Sequence, residues 1–181
     1  MKIKRVTLPL DTKTAQTLRA GDIVLISGEV LTCRDCAHKR IFEYLNQGIE
    51  LPFSVEGAAF FYAGPCPAPP GKACGSCGPT TSARMDGFAP RLYDMGLSCV
   101  IGKGEVSKEV RDAIARNKRV YFAAVGGAGA LCGNAVVSCE CVAFPDLLSE
   151  AVYKMELKDL PAVVAADAFG GDVYAASRDT K

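Results

Sequence analysis

Two arginines, a run of hydroxyls, one lysine and one histidine are the side chains in this sequence best suited to holding or processing a charged guest. Arg34 and Arg84 each fall in the first turn of an expected helix. The helix macrodipole places partial positive charge there, so an exposed cation is disfavoured by roughly 0.3–1 kcal/mol. Two such placements suggest an anion at each helix start, held by backbone N–H groups and a guanidinium together. Thr80, Thr81 and Ser82 lie just before Arg84 and add three hydroxyls able to bond the same guest. The plainer reading is that Asp35 and Asp86 pair with these arginines as surface ion pairs, which contribute little one at a time.

Lys103 lies between Gly102 and Gly104 straight after an expected strand, where backbone can approach a ligand and a side chain can project. A solvated turn lysine fits the same pattern. His38, the sole histidine, follows Arg34 by four residues on one helical face. It is placed to orient the arginine or relay a proton, or to be a buried, hydrogen-bonded histidine without chemistry.

Nine cysteines include two CxxC pairs, Cys33/Cys36 and Cys74/Cys77. Zinc is the obvious candidate. The gap between the pairs is longer than zinc ribbons use, and no run has the close spacing of small ferredoxins. We therefore expect no metal bound by this chain alone. A zinc-binding or redox-regulated interaction module using the two pairs is the alternative from another class. Cys99, Cys132, Cys139 and Cys141 read as small core residues. Gly126, Gly127 and Gly129 superficially match a dinucleotide loop, but the fingerprint needs a helix next. The following ALCGNAVVSCECVAF reads as apolar strand, so close chain packing is preferred.

Around these residues the periodicity predicts strands over 2–8, 22–30, 58–62, 98–101, 119–125, 135–143, 152–157 and 162–166. A helix should run from a cap at Thr32 to about Gln47, with Asp35 completing a box-like spacing and Gly48 as its stop. Met85, Phe88, Leu92 and Met95 mark another, kinked or divided at Pro90, and Val106, Val110 and Ile114 a third. Residues 64–79 (GPCPAPPGKACGSCGP) have neither period and form a long loop of the kind that tends to be functional. The last residues read as frayed. The pattern is mixed α/β, one domain over 1–181.

Composition narrows the partners. Of 181 residues, 49% are hydrophobic and 23% charged, with a formal net charge of +1. That balance argues against a broad nucleic-acid or anionic-membrane face, though not against a small cationic pocket. The N-terminus alternates charged and apolar residues, and no run approaches the ~20 apolar residues of a membrane span. With an odd number of scattered cysteines, a reduced, cytoplasmic protein is expected.

Taken together, SGEVLTCRDCAHKR and FYAGPCPAPPGKACGSCGPTTSARMD, with IGKG, AVGGAGAL and a C-terminal stretch holding Pro161 and Asp167, resemble one known family across nearly the whole chain. It is the C-terminal domain or β subunit of iron–sulfur-dependent fumarate hydratases and L(+)-tartrate dehydratases. The resemblance implies a swivelling β/β/α domain with a mixed sheet core and flanking helices. It also implies an α-subunit partner, as heterodimer or α2β2, which carries the [4Fe–4S] cluster, so that this chain ligates no metal and holds half of a site. Isolated, the chain could form a homodimer.

By the same resemblance Thr80 is the catalytic group for proton transfer beside a carboxylate. Arg34, Arg84 and Lys103 hold the substrate carboxylates, with His38, Asp35 and Thr81 in support. The implied reaction interconverts (S)-malate and fumarate plus water, with tartrate dehydration as the alternative. A free-standing dicarboxylate-binding domain is a third possibility. Cys33, Cys36, Cys66, Cys74 and Cys77 depart from the family pattern at positions usually small or aliphatic, and none replaces a matched functional residue.

Overall fold

The computed structural model describes residues 3–175. The expected fraying at the C-terminus and the start of the first strand at Lys2 lie outside them. Strands β1 (Lys4–Leu8), β2 (Ile23–Thr32), β3 (Ala59–Phe61), β4 (Cys99–Gly102), β5 (Val120–Ala124), β6 (Val136–Ala143) and β7 (Val152–Ala166) form one mixed sheet. Neighbours from β1 through β5 run parallel, while β7 runs antiparallel to β5, β6 and β2.

The β2–β7 pairing closes β2, β3, β4, β5 and β7 into a five-stranded barrel. Two long strands make this possible. On one edge β2 carries β1 along residues 24–28 and then β3 at Leu31 and Thr32. One edge of β7 likewise carries β6 along its first half and β5 along its second.

The expected break between strands at 152–157 and 162–166 is a bulge inside β7. Asp159 has φ 53° and its N–H donates to the Ser27 hydroxyl at 2.9 Å, while Lys158 N–H donates to Ala135 O at 2.8 Å. The bulge consumes the irregular residues without ending the strand, and bends it around the barrel.

Alternation along the strands sorts two cores. Ala59 and Phe61, Cys99 and Ile101, and Val120, Phe122 and Ala124 join one apolar cluster with Met155 and Leu160 of β7. Phe60, Val100 and Tyr121 join a second, packed with Ala37 and Ile41 of α2 (Asp35–Gln47), Leu92 of α3 (Ala89–Asp94) and Val110 and Ile114 of α4 (Lys108–Arg116). Helix α2 ends as expected at Gly48, whose φ of 69° is the left-handed conformation glycine tolerates.

Four local expectations need correction. Thr32 is no helix cap: it ends β2, buried, donating to Ala151 O at 3.2 Å and accepting from Tyr153 N at 2.9 Å. Arg34 itself is the N-cap of α2, without a side-chain cap bond. The helix expected after Thr80 is split, as Pro90 allowed, into a 3₁₀ turn, Ser82–Met85, and α3. Arg84 therefore lies in the last turn of a four-residue 3₁₀ segment, where the macrodipole argument does not hold. Finally, a short helix α5 (Gly129–Asn134) does follow the glycine run, ahead of β6. Close packing explains Gly129, where a β-carbon would lie 2.4 Å from Ser76 Oγ, while Gly127 has space around it and a φ of 77°. Short elements without an apolar period escaped the sequence reading: α1 (Thr12–Ala15) and a second 3₁₀ segment, Pro145–Glu150.

Candidate active site

Because β2, β3, β4 and β5 are parallel, the segments leaving their carboxyl ends emerge at one end of the barrel. Open parallel sheets place ligands at such ends. Arg34 follows β2, the loop 64–79 and Thr80 follow β3, Lys103 follows β4 and the Gly126–Gly129 turn follows β5.

Backbone bonds stitch these segments together. Cys33 N–H donates to Phe61 O at 3.0 Å, Thr80 N–H to Tyr62 O at 2.7 Å, and Ser82 N–H to Lys103 O at 2.9 Å. The Ser82 hydroxyl accepts from Lys103 N at 3.0 Å and shares a 2.9 Å bond with the Tyr121 hydroxyl, which donates to Gly104 O at 2.8 Å. Ser82, expected as one of three hydroxyls able to bond a guest, instead fixes the backbone of Lys103.

Both guanidiniums meet carboxylates, but across segments and not between chain neighbours. Arg84 Nη2 donates to Asp35 Oδ2 at 2.6 Å, and its Nη1 stands 3.5 Å from Thr80 Oγ1, at the outer limit of a hydrogen bond. Arg34 Nη2 lies 3.2 Å from Glu150 Oε1, and the other oxygen of Glu150 accepts from Cys36 N at 3.0 Å.

Glu150 thereby supplies the anion expected at the start of α2, held by a backbone N–H and a guanidinium together. Asp86 accepts from Ser107 N at 2.8 Å and leaves Arg84 to Asp35. Gly64 lets the loop pass this cluster, since a β-carbon there would lie 3.3 Å from Arg34 Cδ and Nη1 and 2.3 Å from Ser149 O. The Lys103 side chain crosses Gly126, where a β-carbon would lie 2.9 Å from its Cδ.

Asp35, Arg84 and Thr80 are thus in direct contact, Arg34 adjoins them through the chain, and Lys103 is bridged to Thr81 backbone to backbone. Thr81 is exposed and makes no side-chain cap bond. Two buried polar atoms in the cluster have no partner among the described residues, Arg34 Nε and Asp35 Oδ1. Glu150 was missed by sequence reasoning because it falls in the unassigned stretch between two strands.

His38 is fully buried, its Nδ1 2.8 Å from the Arg34 carbonyl, with Tyr62 and Phe88 rings 5.2 and 5.5 Å away. Burial lowers its pKa to about 4. It is neutral near pH 7, its Nδ1–H donates to Arg34 O, and it orients the backbone of Arg34 and not the guanidinium.

The cysteines do not assemble into the double CxxC centre considered as an alternative. Cys33 belongs to the helix-side core, and Cys74 and Cys77 to the barrel-side core. The one grouping of possible metal ligands among the described residues is Asp35, Cys36 and Glu150, within 4.8 Å of one another. Its carboxylates already face Arg34 and Arg84, and hydrogen bonding to Glu150 raises the pKa of Cys36.

A closed mixed barrel flanked by helices, with cationic residues on the segments that follow its parallel strands, defines the architecture as an α/β domain. Residues 1–177 match the family described as Fumarase C-terminus, and the chain belongs to it. It is 38% identical over 156 residues to "Fumarate hydratase 2" of Leishmania major, covering 85% of this chain and 28% of that protein. It is 36% identical over 151 residues to "Fumarate hydratase class I, aerobic" of Escherichia coli (strain K12), covering 82% and 28%. With the "Putative L(+)-tartrate dehydratase subunit beta" of Methanocaldococcus jannaschii identity is 36% over 171 residues, covering 91% and 88%. The chain therefore spans little more than a quarter of those fumarate hydratases and most of the tartrate dehydratase subunit. Among the described residues no helix is long and apolar enough to cross a membrane.

Proposed function

We propose that this chain is the β half of a cytoplasmic hydro-lyase that interconverts (S)-malate with fumarate and water, completed by an α-type subunit in a heterodimer or α2β2 assembly. The observation that carries this is that Arg34, Thr80 with Arg84, and Lys103 follow the carboxyl ends of three neighbouring parallel strands, with Arg84 Nη1 3.5 Å from the Thr80 hydroxyl. Arg34 and Arg84 each face one carboxylate, Glu150 and Asp35, and Lys103 makes no ion pair among the described residues, so the five side chains together carry a net charge of +1. Such a surplus suits a doubly charged guest that competes for the guanidiniums.

Eliminating water from a 2-hydroxy diacid removes a proton from a carbon beside one carboxylate while hydroxide leaves the next carbon. Negative charge grows on that carboxylate, where fixed cations are worth most. Arg34, Arg84 and Lys103 bind and orient the carboxylates. Thr80 is the proton-transfer group, and the nearby Arg84 cation favours the deprotonated form of its hydroxyl.

The family resemblance calls for a [4Fe–4S] cluster. Beside the cation cluster this chain offers one thiol, Cys36, with Asp35 and Glu150, whose carboxylates already face guanidiniums. We assign the cluster to the α partner.

A second reading, the β subunit of a tartrate dehydratase, is favoured by the near-full-length match to such a subunit. The test is to co-purify the chain with its α-type partner and assay fumarate hydration and L-tartrate dehydration side by side. Preferential turnover of fumarate supports the first reading. Turnover of tartrate alone supports the second, and turnover of neither refutes both.

A further inference from the structure

The loop 64–79 holds a group of thiols apart from the cation cluster. Cys66, Cys74 and Cys139 line one cavity of about 470 Å3, together with Leu148 and Tyr153. Their accessibilities differ: Cys66 is exposed, Cys139 half-buried and Cys74 buried. The first two cysteines of the loop are drawn together by its backbone. Gly75 N–H donates to Cys66 O at 3.0 Å, and Cys66 N–H donates to Ser76 O at 2.9 Å. Gly75, the neighbour of Cys74, packs directly on Cys66: a β-carbon there would lie 3.1 Å from Cys66 Cβ. Cys139, by contrast, is held in the middle of β6 opposite Met155.

We propose that Cys66 and Cys74 are a reversible thiol–disulfide pair, closed by a peroxide and opened by a thiol reductant. The exposed Cys66 meets the oxidant. Its thiolate attacks the O–O bond of hydrogen peroxide, giving Cys66 sulfenic acid and releasing one water once the proton is counted. The Cys74 sulfur then attacks the sulfenic sulfur, forming the S–S bond and expelling a second water. In sum, two thiols and one peroxide give one disulfide and two waters. Burial pushes the Cys74 thiol up from its ordinary range, so it is shielded from direct oxidation and acts second. A disulfide bridges Cα atoms ~4.4–6.8 Å apart, a span that segments already joined by backbone hydrogen bonds can reach by adjustment of a proline- and glycine-rich loop.

Trypsin separates the pair, because Lys72 lies between them: Cys66 falls in fragment 41–72 and Cys74 in 73–84. After brief treatment of the reduced chain with hydrogen peroxide and capping of free thiols, these two fragments should appear joined, two hydrogens lighter than their sum. Titratable thiols in denaturant should fall from nine to seven and return to nine with dithiothreitol. Cys66→Ser, at an exposed position that should not disturb folding, must abolish the link, and Cys77→Ser must keep it. Joining of 41–72 to 120–154, the fragment with Cys132, Cys139 and Cys141, would overturn the assignment, as would a bond between Cys74 and Cys77 inside 73–84. So would irreversible oxidation of Cys66 to sulfinic acid without any joined fragment.

Discussion

Arg84→Ala separates a binding guanidinium from a decorative ion pair. In the free chain Arg84 is half-exposed and bonds Asp35 at 2.6 Å. An ion pair that exposed contributes about 0–1 kcal/mol to stability, so the variant should fold, bind its partner and melt close to the parent. If the guanidinium instead holds a substrate carboxylate, removing it forfeits a charge-assisted contact worth about 1.5–3 kcal/mol. At 1.36 kcal/mol per factor of ten, kcat/KM should fall about 10- to 150-fold. The assay is ultraviolet loss of fumarate by the co-purified, cluster-loaded assembly, with partner stoichiometry and melting temperature measured on the same sample. Arg84→Lys keeps the charge without the fork and should fall between the two. A kcat/KM within threefold of the parent, in an assembly shown to be intact, refutes the site. A loss of rate that tracks a loss of fold shows Arg84 to be structural.

His38 makes stability pH-dependent. Its folded pKa of about 4 lies below the ordinary 6.5, so the unfolded chain binds more protons between these values and stability is lost as pH falls from 6.5 toward 4. Urea unfolding should show about 2–3 kcal/mol less stability at pH 4.5 than at pH 7 from this residue, a component absent in His38→Gln; equal slopes in the two proteins would exclude it. Gly102→Ala puts a β-carbon 2.0 Å from Ser82 Oγ and should cost about 1–3 kcal/mol, lowering the melting temperature by roughly 3–10 °C. An unchanged thermal unfolding curve would show that the Ser82 anchor gives way freely. Metal analysis of the reduced, purified chain should find well below one zinc per chain, and one equivalent lost in Cys74→Ser would show that the thiols do converge.

Sequence pattern reached the sheet further than it reached the site. Strands such as 98–101 and 119–125 were legible because apolar residues facing both a barrel core and a helix layer leave continuous apolar runs, and β4 and β5 lie within a residue or two of them. The single long β7 was not legible, since a bulge at Asp159 followed closely by Pro161 looks like a break until the partner strands are known. At the site, Arg34, Thr80, Arg84 and Lys103 were nameable from residue type and family motif. The reason first given for Arg84 was nonetheless mistaken, because the helix it was to begin is a 3₁₀ turn that it nearly ends. Pairing was the hidden layer: Asp35 adjoins Arg34 in the chain yet bonds Arg84, 49 residues away. No local spacing encodes that choice.

That crossed pairing bears on how a cationic site persists without its guest. If the guanidiniums serve a dianion, as proposed, they repel one another when it is absent, and long side chains left free would scatter over many rotamers. Glu150 bonds both Arg34 and the start of α2, and Asp35 bonds Arg84, so each guanidinium is held in place by a carboxylate from another segment. Two monovalent carboxylates do not cancel three cations, and Lys103 has no ion-pair partner among the described residues. On the proposed function, a dicarboxylate would meet arginines already in place with attraction left over, and the ordering entropy it would otherwise face at binding would have been met during folding. Pre-organisation of this kind favours the step in which charge develops on the bound carboxylate, because the surrounding dipoles need not rearrange as the proton leaves.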